Sequence, residues 1–314
     1  MSDLRVQPRR LVLIGSILVD ILMYVERLPE RGGDCIARRA LLTSGGGLNV
    51  LTGAARLGLP VCYAGRVGDG PMGMQVMKDL AAAGIPLALP QVRGEDTGFD
   101  IGLVEADAER TFVTAPGTEA RLSLDDLRAL ELRAGDAIYV SGYDLAYPVS
   151  GAALEAWLPD LAPASLLVID PGPLVADIPP ERLTRVLARA DIISLNAREM
   201  GLLTGVPDLP EAARLLLNGL APGALVVARA GEQGCWLARS SLAPLHIPPR
   251  PARVVDTTGA GDVHVAALLA RLASGDEVRT AAYIANVAAS LSTERVGPAS
   301  GPTMQELRAA LGEI

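Results

Sequence analysis

Aromatic residues are scarce in this chain: Phe 2, Trp 2 and Tyr 6 among 314 residues. Stacking platforms for nucleic-acid bases need many such rings, so base stacking is excluded as its main task. Basic charge is short too, with 28 Lys and Arg against 36 Asp and Glu and a formal charge of -8. A phosphate-backbone binder needs the opposite sign on its surface, so no nucleic-acid partner is expected. Cys35, Cys62 and Cys235 lack C-x-x-C spacing, and with only His246 and His264 beside them a Cys/His zinc site is not expected. Buried, inert thiols are the expected state of the cysteines. No apolar run approaches the ~18 residues of a membrane span. Met1 to Arg10 lacks a signal-peptide pattern, so a cytoplasmic chain free of the membrane is expected.

What the chain does have is apolar bulk: 50% hydrophobic and 20% charged residues, far from a disordered composition. The length suits one α/β domain over residues 1–314. Short apolar runs at 11–14, 61–64, 137–140, 166–169, 192–195 and 224–228 read as buried strands. Helical stretches at 49–57, 73–83, 181–190, 211–217 and 263–273 separate most of them. This alternation predicts a mostly parallel sheet covered by helices on both faces, with ligands beyond the carboxyl ends of its strands. Two segments, about 20–43 and 97–114, break the rhythm with short β-like runs, and Ala106 to Glu109 reads as a hairpin turn. They predict a small separate sheet that acts as a lid or pairs with a second copy of itself.

The sharpest chemical signal is Asp256-Thr257-Thr258-Gly259-Ala260-Gly261-Asp262, followed by an apolar helix. Small residues let the backbone approach a ligand, and the helix start aims amides and a positive dipole end at an anion. Asp262 beside that anion site is placed to accept a hydroxyl proton. The plainer alternative is that Asp262 is an N-cap on a tight turn. Two threonines and two aspartates around Gly-Ala-Gly exceed what a cap requires, and they favour the functional reading.

The heptapeptide resembles the C-terminal signature of the ribokinase-like (PfkB) carbohydrate kinases. Gly45-Gly46-Gly47-Leu48-Asn49, with Ala54, Gly58 and Gly65, resembles their N-terminal signature. Asn196-Ala197-Arg198-Glu199 resembles the N-x-x-E motif, and Arg229-Ala230-Gly231-Glu232-Gln233-Gly234 the nucleotide-side turn. All four stand in family order across nearly the whole chain.

The resemblance implies a three-layer ribokinase-like α/β sandwich with a β lid, and transfer of the γ-phosphoryl of ATP to a sugar or nucleoside hydroxymethyl group with Mg2+. Asp262 would be the catalytic base, and Gly259, Ala260 and Gly261 the anion hole. Asp20, Asn49 and the amides of Gly46 and Gly47 would hold the acceptor. Leu18 replaces an asparagine of ribokinase, which weakens ribose as the substrate. Asn196, Arg229, Gly231, Gly234 and Asn286 would line the nucleotide, with Arg229 either a phosphate partner or a surface arginine. Asn196 and Glu199 would hold Mg2+, partly through water. Asp256 and Thr258 match early ligands of a monovalent cation such as K+, with Gly297 and Ser300 near its later loop. His264 reads as a packing residue. Phe99, Arg110 and Phe112 are either lid closers or sheet packing, and Tyr143 and Asp144 extend toward the sugar. A nucleoside kinase and a non-catalytic relative are the rival readings, and a homodimer through the lid is expected.

Overall fold

The computed structural model describes residues 4–106, 109–239, 243–297 and 300–312. Eight strands form the main sheet: β1 (Arg10–Ile14), β4 (Val61–Tyr63), β7 (Asp136–Ser141), β8 (Leu166–Asp170), β9 (Ile192–Asn196), β10 (Leu225–Arg229), β11 (Cys235–Arg239) and β12 (Leu245–Ile247). Their order is β12-β11-β10-β9-β8-β7-β1-β4. From β10 to β4 every pairing is parallel, while β11 and β12 add an antiparallel edge. Four further strands, β2 (Val19–Tyr24), β3 (Arg39–Ser44), β5 (Phe99–Val104) and β6 (Arg110–Ala115), form a separate sheet in the order β3-β2-β5-β6.

The main strands read as unbroken apolar runs because both faces are covered. Leu11 and Leu13 of β1, Tyr139 of β7, Val168 of β8 and Val227 of β10 belong to one core. Val12 and Ile14, Ile138, Ile169 and Val226, one residue out of phase, belong to the other. Each such fully buried aliphatic side chain contributes about 1.5–3 kcal/mol. On the first face lie α1 (Gly47–Arg56), α2 (Pro71–Ala82), α9 (Ala260–Ala273), α10 (Val278–Thr293) and α11 (Met304–Leu311). On the second lie α3 (Leu124–Arg128), α5 (Pro148–Trp157), α6 (Pro180–Leu187), α7 (Ala197–Thr204) and α8 (Leu209–Leu216), with the short α4 (Gly142–Ala146) leaving β7. The fold is a three-layer α/β sandwich with a mostly parallel central sheet and a smaller sheet beside it. Among the described residues no helix is long and apolar enough to cross a membrane.

Several expectations need correction. The helix expected from 263 begins at Ala260, which brings Gly261 and Asp262 into its first turn. Cys62 and Cys235 are buried, but Cys35 is exposed on the segment leading into β3. Asp107 and Ala108 of the expected hairpin turn lie outside the described residues; next to it, the Glu105 N–H donates to the Glu109 carbonyl at 2.9 Å.

Candidate active site

The carboxyl ends of β7, β8 and β10, the loop after β1 and the start of α9 open onto one cavity of about 450 Å³, walled on another side by the smaller sheet. Ligands of open parallel sheets bind at this edge.

The turn between β3 and α1 is glycine because there is no room for more. A Cβ on Gly45 would stand 2.2 Å from Asp20 Oδ2, and Gly46 has φ 59 with the Ser16 carbonyl 2.9 Å from where its Cβ would be. This close fit sets Asp20, Gly46, Gly47 and Asn49 on the cavity wall. At the other side Gly259 takes the left-handed conformation, φ 72, and is the N-cap of α9. Asp262 is therefore not the cap; it stands in the first turn with its side chain on the cavity. Its Oδ2 accepts a hydrogen bond from Asn49 Nδ2 at 3.1 Å. Burial, followed by the negative charge of Asp170, lifts its pKa to about 7, while Asn49 and the Arg229 charge pull the other way. Gly259 and Gly261 line the cavity, whereas Ala260 does not, and its N–H donates to the Thr257 carbonyl at 3.2 Å.

Arg229 is not a surface arginine. Its Nη1 donates to Asp170 Oδ2 at 2.8 Å and Ser194 Oγ at 3.1 Å, and its Nη2 lies 3.6 Å from Glu199 Oε2. A Cβ on Gly261 would come within 3.2 Å of that guanidinium, so the first turn of α9 and the arginine require each other's shape. Glu199 is likewise not a solvated carboxylate: only 3% of its surface is exposed. With Asn196 it forms a capping box on α7, accepting from Asn196 N and Nδ2 at 2.8 Å while Asn196 Oδ1 accepts from Glu199 N at 2.9 Å. Burial raises its pKa, and nearby Asp170 adds to the rise.

Asn196, Gly231, Gly234, Asn286, His264 and Asp256 fall outside the cavity. Gly231 and Gly234 shape the β10–β11 turn with φ 57 and 84. Asn286 spends its Nδ2 on the carbonyls of Ile247 and Pro248, at 3.2 and 3.0 Å, and its Oδ1 on His264 Nε2 at 3.1 Å. His264 is buried in the core, and that burial holds its pKa at about 3, so it stays neutral. Asp256 accepts from Thr258 N and Oγ1, from Gly297 N and from the Arg110 guanidinium of the smaller sheet, which together hold its pKa near 2 despite burial. Phe99 packs against the main core, while Phe112, Leu18, Thr258, Tyr143 and Asp144 line the cavity.

Two carboxylates missing from the sequence reading also face the cavity. Asp170 ends β8 and anchors Arg229. Asp100 sits in β5 directly beside Asp20 of β2. Among the described residues, no group of three or more His, Cys, Asp or Glu side chains could hold a metal by itself.

Residues 8–304 match the model of the pfkB family of carbohydrate kinases. The chain belongs to that family. As a carbohydrate kinase it is 31% identical over 299 residues to the uncharacterized sugar kinase YegV of Escherichia coli strain K12, covering 94% of this chain and 92% of that protein. Its fold matches the ribokinase of Thermotoga maritima with a TM-score of 0.80 at 20% identity, over 96% of this chain and 99% of the other. The adenosine kinase of Sinorhizobium meliloti matches with a TM-score of 0.81 at 22% identity, over 97% and 99%.

Proposed function

We propose that this kinase transfers the γ-phosphoryl group of ATP to a primary hydroxyl of a small sugar. The observation that carries the reading is the Asp262 carboxylate on the cavity wall, one turn into α9 and beside Gly259 and Gly261. Asp262 takes the hydroxyl proton, the freed oxygen bonds to the γ-phosphorus, and the bond to the departing ADP oxygen breaks. Amides of the first turn of α9 are aimed at the charge that spreads over the transferring group. Arg229, held between Asp170 and Glu199, stands against Gly261 of the same turn. Asp20, Asn49, Gly46 and Gly47 hold the acceptor so that its hydroxyl meets Asp262.

Mg2+ fits the donor set. Glu199 and Asp170 both face the cavity, but Arg229 and Asn196 already engage their oxygens, so they would hold the ion through its waters. Asn196 spends its side chain on Glu199. When bound it would neutralise charge on the phosphate oxygens. K+ does not fit Asp256, whose charge is already met by Arg110 and whose oxygens are taken by Thr258 and Gly297. The smaller sheet serves as the lid over the acceptor, and its open edge strands β3 and β6 suit a lid-to-lid homodimer.

A nucleoside acceptor is the second reading, because Phe112, Tyr143 and Tyr147 place aromatic surface on the cavity. Purified protein with Mg-ATP and a panel of sugars and nucleosides, read by mass spectrometry for phosphorylated product, tests both. No product from any member of the panel would remove the kinase reading, and a nucleoside product alone would establish the second.

A further inference from the structure

The wall of the smaller sheet carries a polar row that runs across all of its strands. In register, Thr43 of β3 lies beside Asp20 of β2, Asp20 beside Asp100 of β5, and Asp100 beside Thr114 of β6. Register partners share a face and stand roughly 5 Å apart. Asp20, Asp100 and Thr114 all line the cavity. Two residues along, Leu22, Gly102 and Phe112 stand in register. A Cβ on Gly102 would lie 2.6 Å from the Phe112 ring, so the missing side chain is what lets the ring lie over β5 and border the polar row.

Two carboxylates facing one way need donors, and the protein supplies few. Asp100 Oδ1 is buried and has no hydrogen-bond partner among the described residues. Asn49, only 5% exposed, uses Nδ2 on Asp262 and likewise leaves Oδ1 without a partner among the described residues. Buried acceptors without donors are costly unless something brings donors to them. Among the described residues Arg229 is the one cation on the cavity wall, and Asp170 and Glu199 already offset it. Among the same residues no cation acts on Asp20 or Asp100, and Asp262 feels only Arg229, whose charge is already offset.

Building on the kinase reading, we propose that Asp100 is a specificity-determining residue that contacts the acceptor, and that the acceptor is an uncharged polyol. It presents a hydroxyl pair to Asp20 and at least one further hydroxyl to Asp100, while its C–H face rests on Phe112. Above about pH 7, where burial no longer keeps these groups protonated, an acceptor with a carboxylate or phosphate of its own is repelled by the same carboxylates.

The test compares D-ribose, D-fructose and D-sorbitol with ribose 1-phosphate and D-gluconate at pH 8, using Mg-ATP and mass-spectrometric detection of product. Calorimetric binding of each compound to the Asp262→Asn variant supplies a readout that does not depend on turnover. The best acceptor is expected among the uncharged compounds. Asp100→Ala is expected to raise its KM about tenfold or more with kcat changed less than about threefold, the loss of a charge-assisted hydrogen bond. Asp100→Asn, which keeps shape, guards against a folding artefact and is expected to fall between. A phosphorylated or carboxylated compound as best acceptor, or an unchanged KM in both Asp100 variants, overturns the proposal while leaving the kinase reading intact. ATP-dependent product from none of the compounds, with no binding to Asp262→Asn, overturns both.

Discussion

Asn49, in the first turn of α1, holds the carboxylate of Asp262, in the first turn of α9, through a 3.1 Å hydrogen bond that spans 213 positions of chain. The bond favours the ionised carboxylate, whereas burial favours the neutral acid, and the balance leaves its pKa near 7.

A base must be unprotonated to work, so kcat/KM should rise about tenfold per pH unit below 7 and level off above it. In Asn49→Ala the lost hydrogen bond moves the midpoint of that limb to higher pH. A pH–rate profile of both proteins checks the sign, and a midpoint that stays in place removes Asn49 from this role.

Replacing Asp262 by Asn should cut kcat by about 10²–10⁴ while ATP binding is largely kept. The same change should stabilise the fold at alkaline pH. The folded pKa, about 7, lies above the ordinary 3.8, so the native state holds this proton more tightly than the unfolded chain. The group therefore costs stability progressively as pH rises through that window, and in full above it. Thermal melts at pH 8 should show Asp262→Asn above the parent protein, with the gap closing near pH 4.

Arg229→Met should lower stability by about 3–5 kcal/mol, because it strands Asp170 and Glu199 as buried carboxylates without their cation. Denaturant titration measures the loss. Arg229→Met with Asp170→Asn should recover part of it, since the stranded charge is removed as well.

Because Arg110 already neutralises Asp256, turnover should be the same in potassium and sodium buffers. In Arg110→Ala the charge of that carboxylate is no longer met, although Thr258 and Gly297 still bond it, and a dependence on K+ should then emerge in steady-state rates at fixed ionic strength.

Much of this architecture is legible in the amino-acid order. Strands buried on both faces, such as 166–169, show as plain apolar runs, and Gly-Ala-Gly before an apolar helix marks the start of α9. Asp262 stands in that turn and can be found from it, whereas Asp20 comes from the family resemblance. Asp100 cannot, because its place depends on β5 pairing in parallel with β2, some eighty positions away, and nothing local encodes that register. Arg229 shows the reverse difficulty. Its motif is visible, but an arginine at a strand end looks solvated until Asp170 and Glu199, from two other elements, close around it. The partners of Asn286 are hidden in the same way, since its amide goes to His264 and the chain after β12.

The bridge from Arg110 to Asp256 joins a strand walling the cavity to the loop that leads into α9, across 146 positions. This clasp combines a hydrogen bond with opposite charges, and dissolved electrolyte screens its partly open side. The tie between the smaller sheet and the start of α9 is therefore expected to weaken as salt is raised.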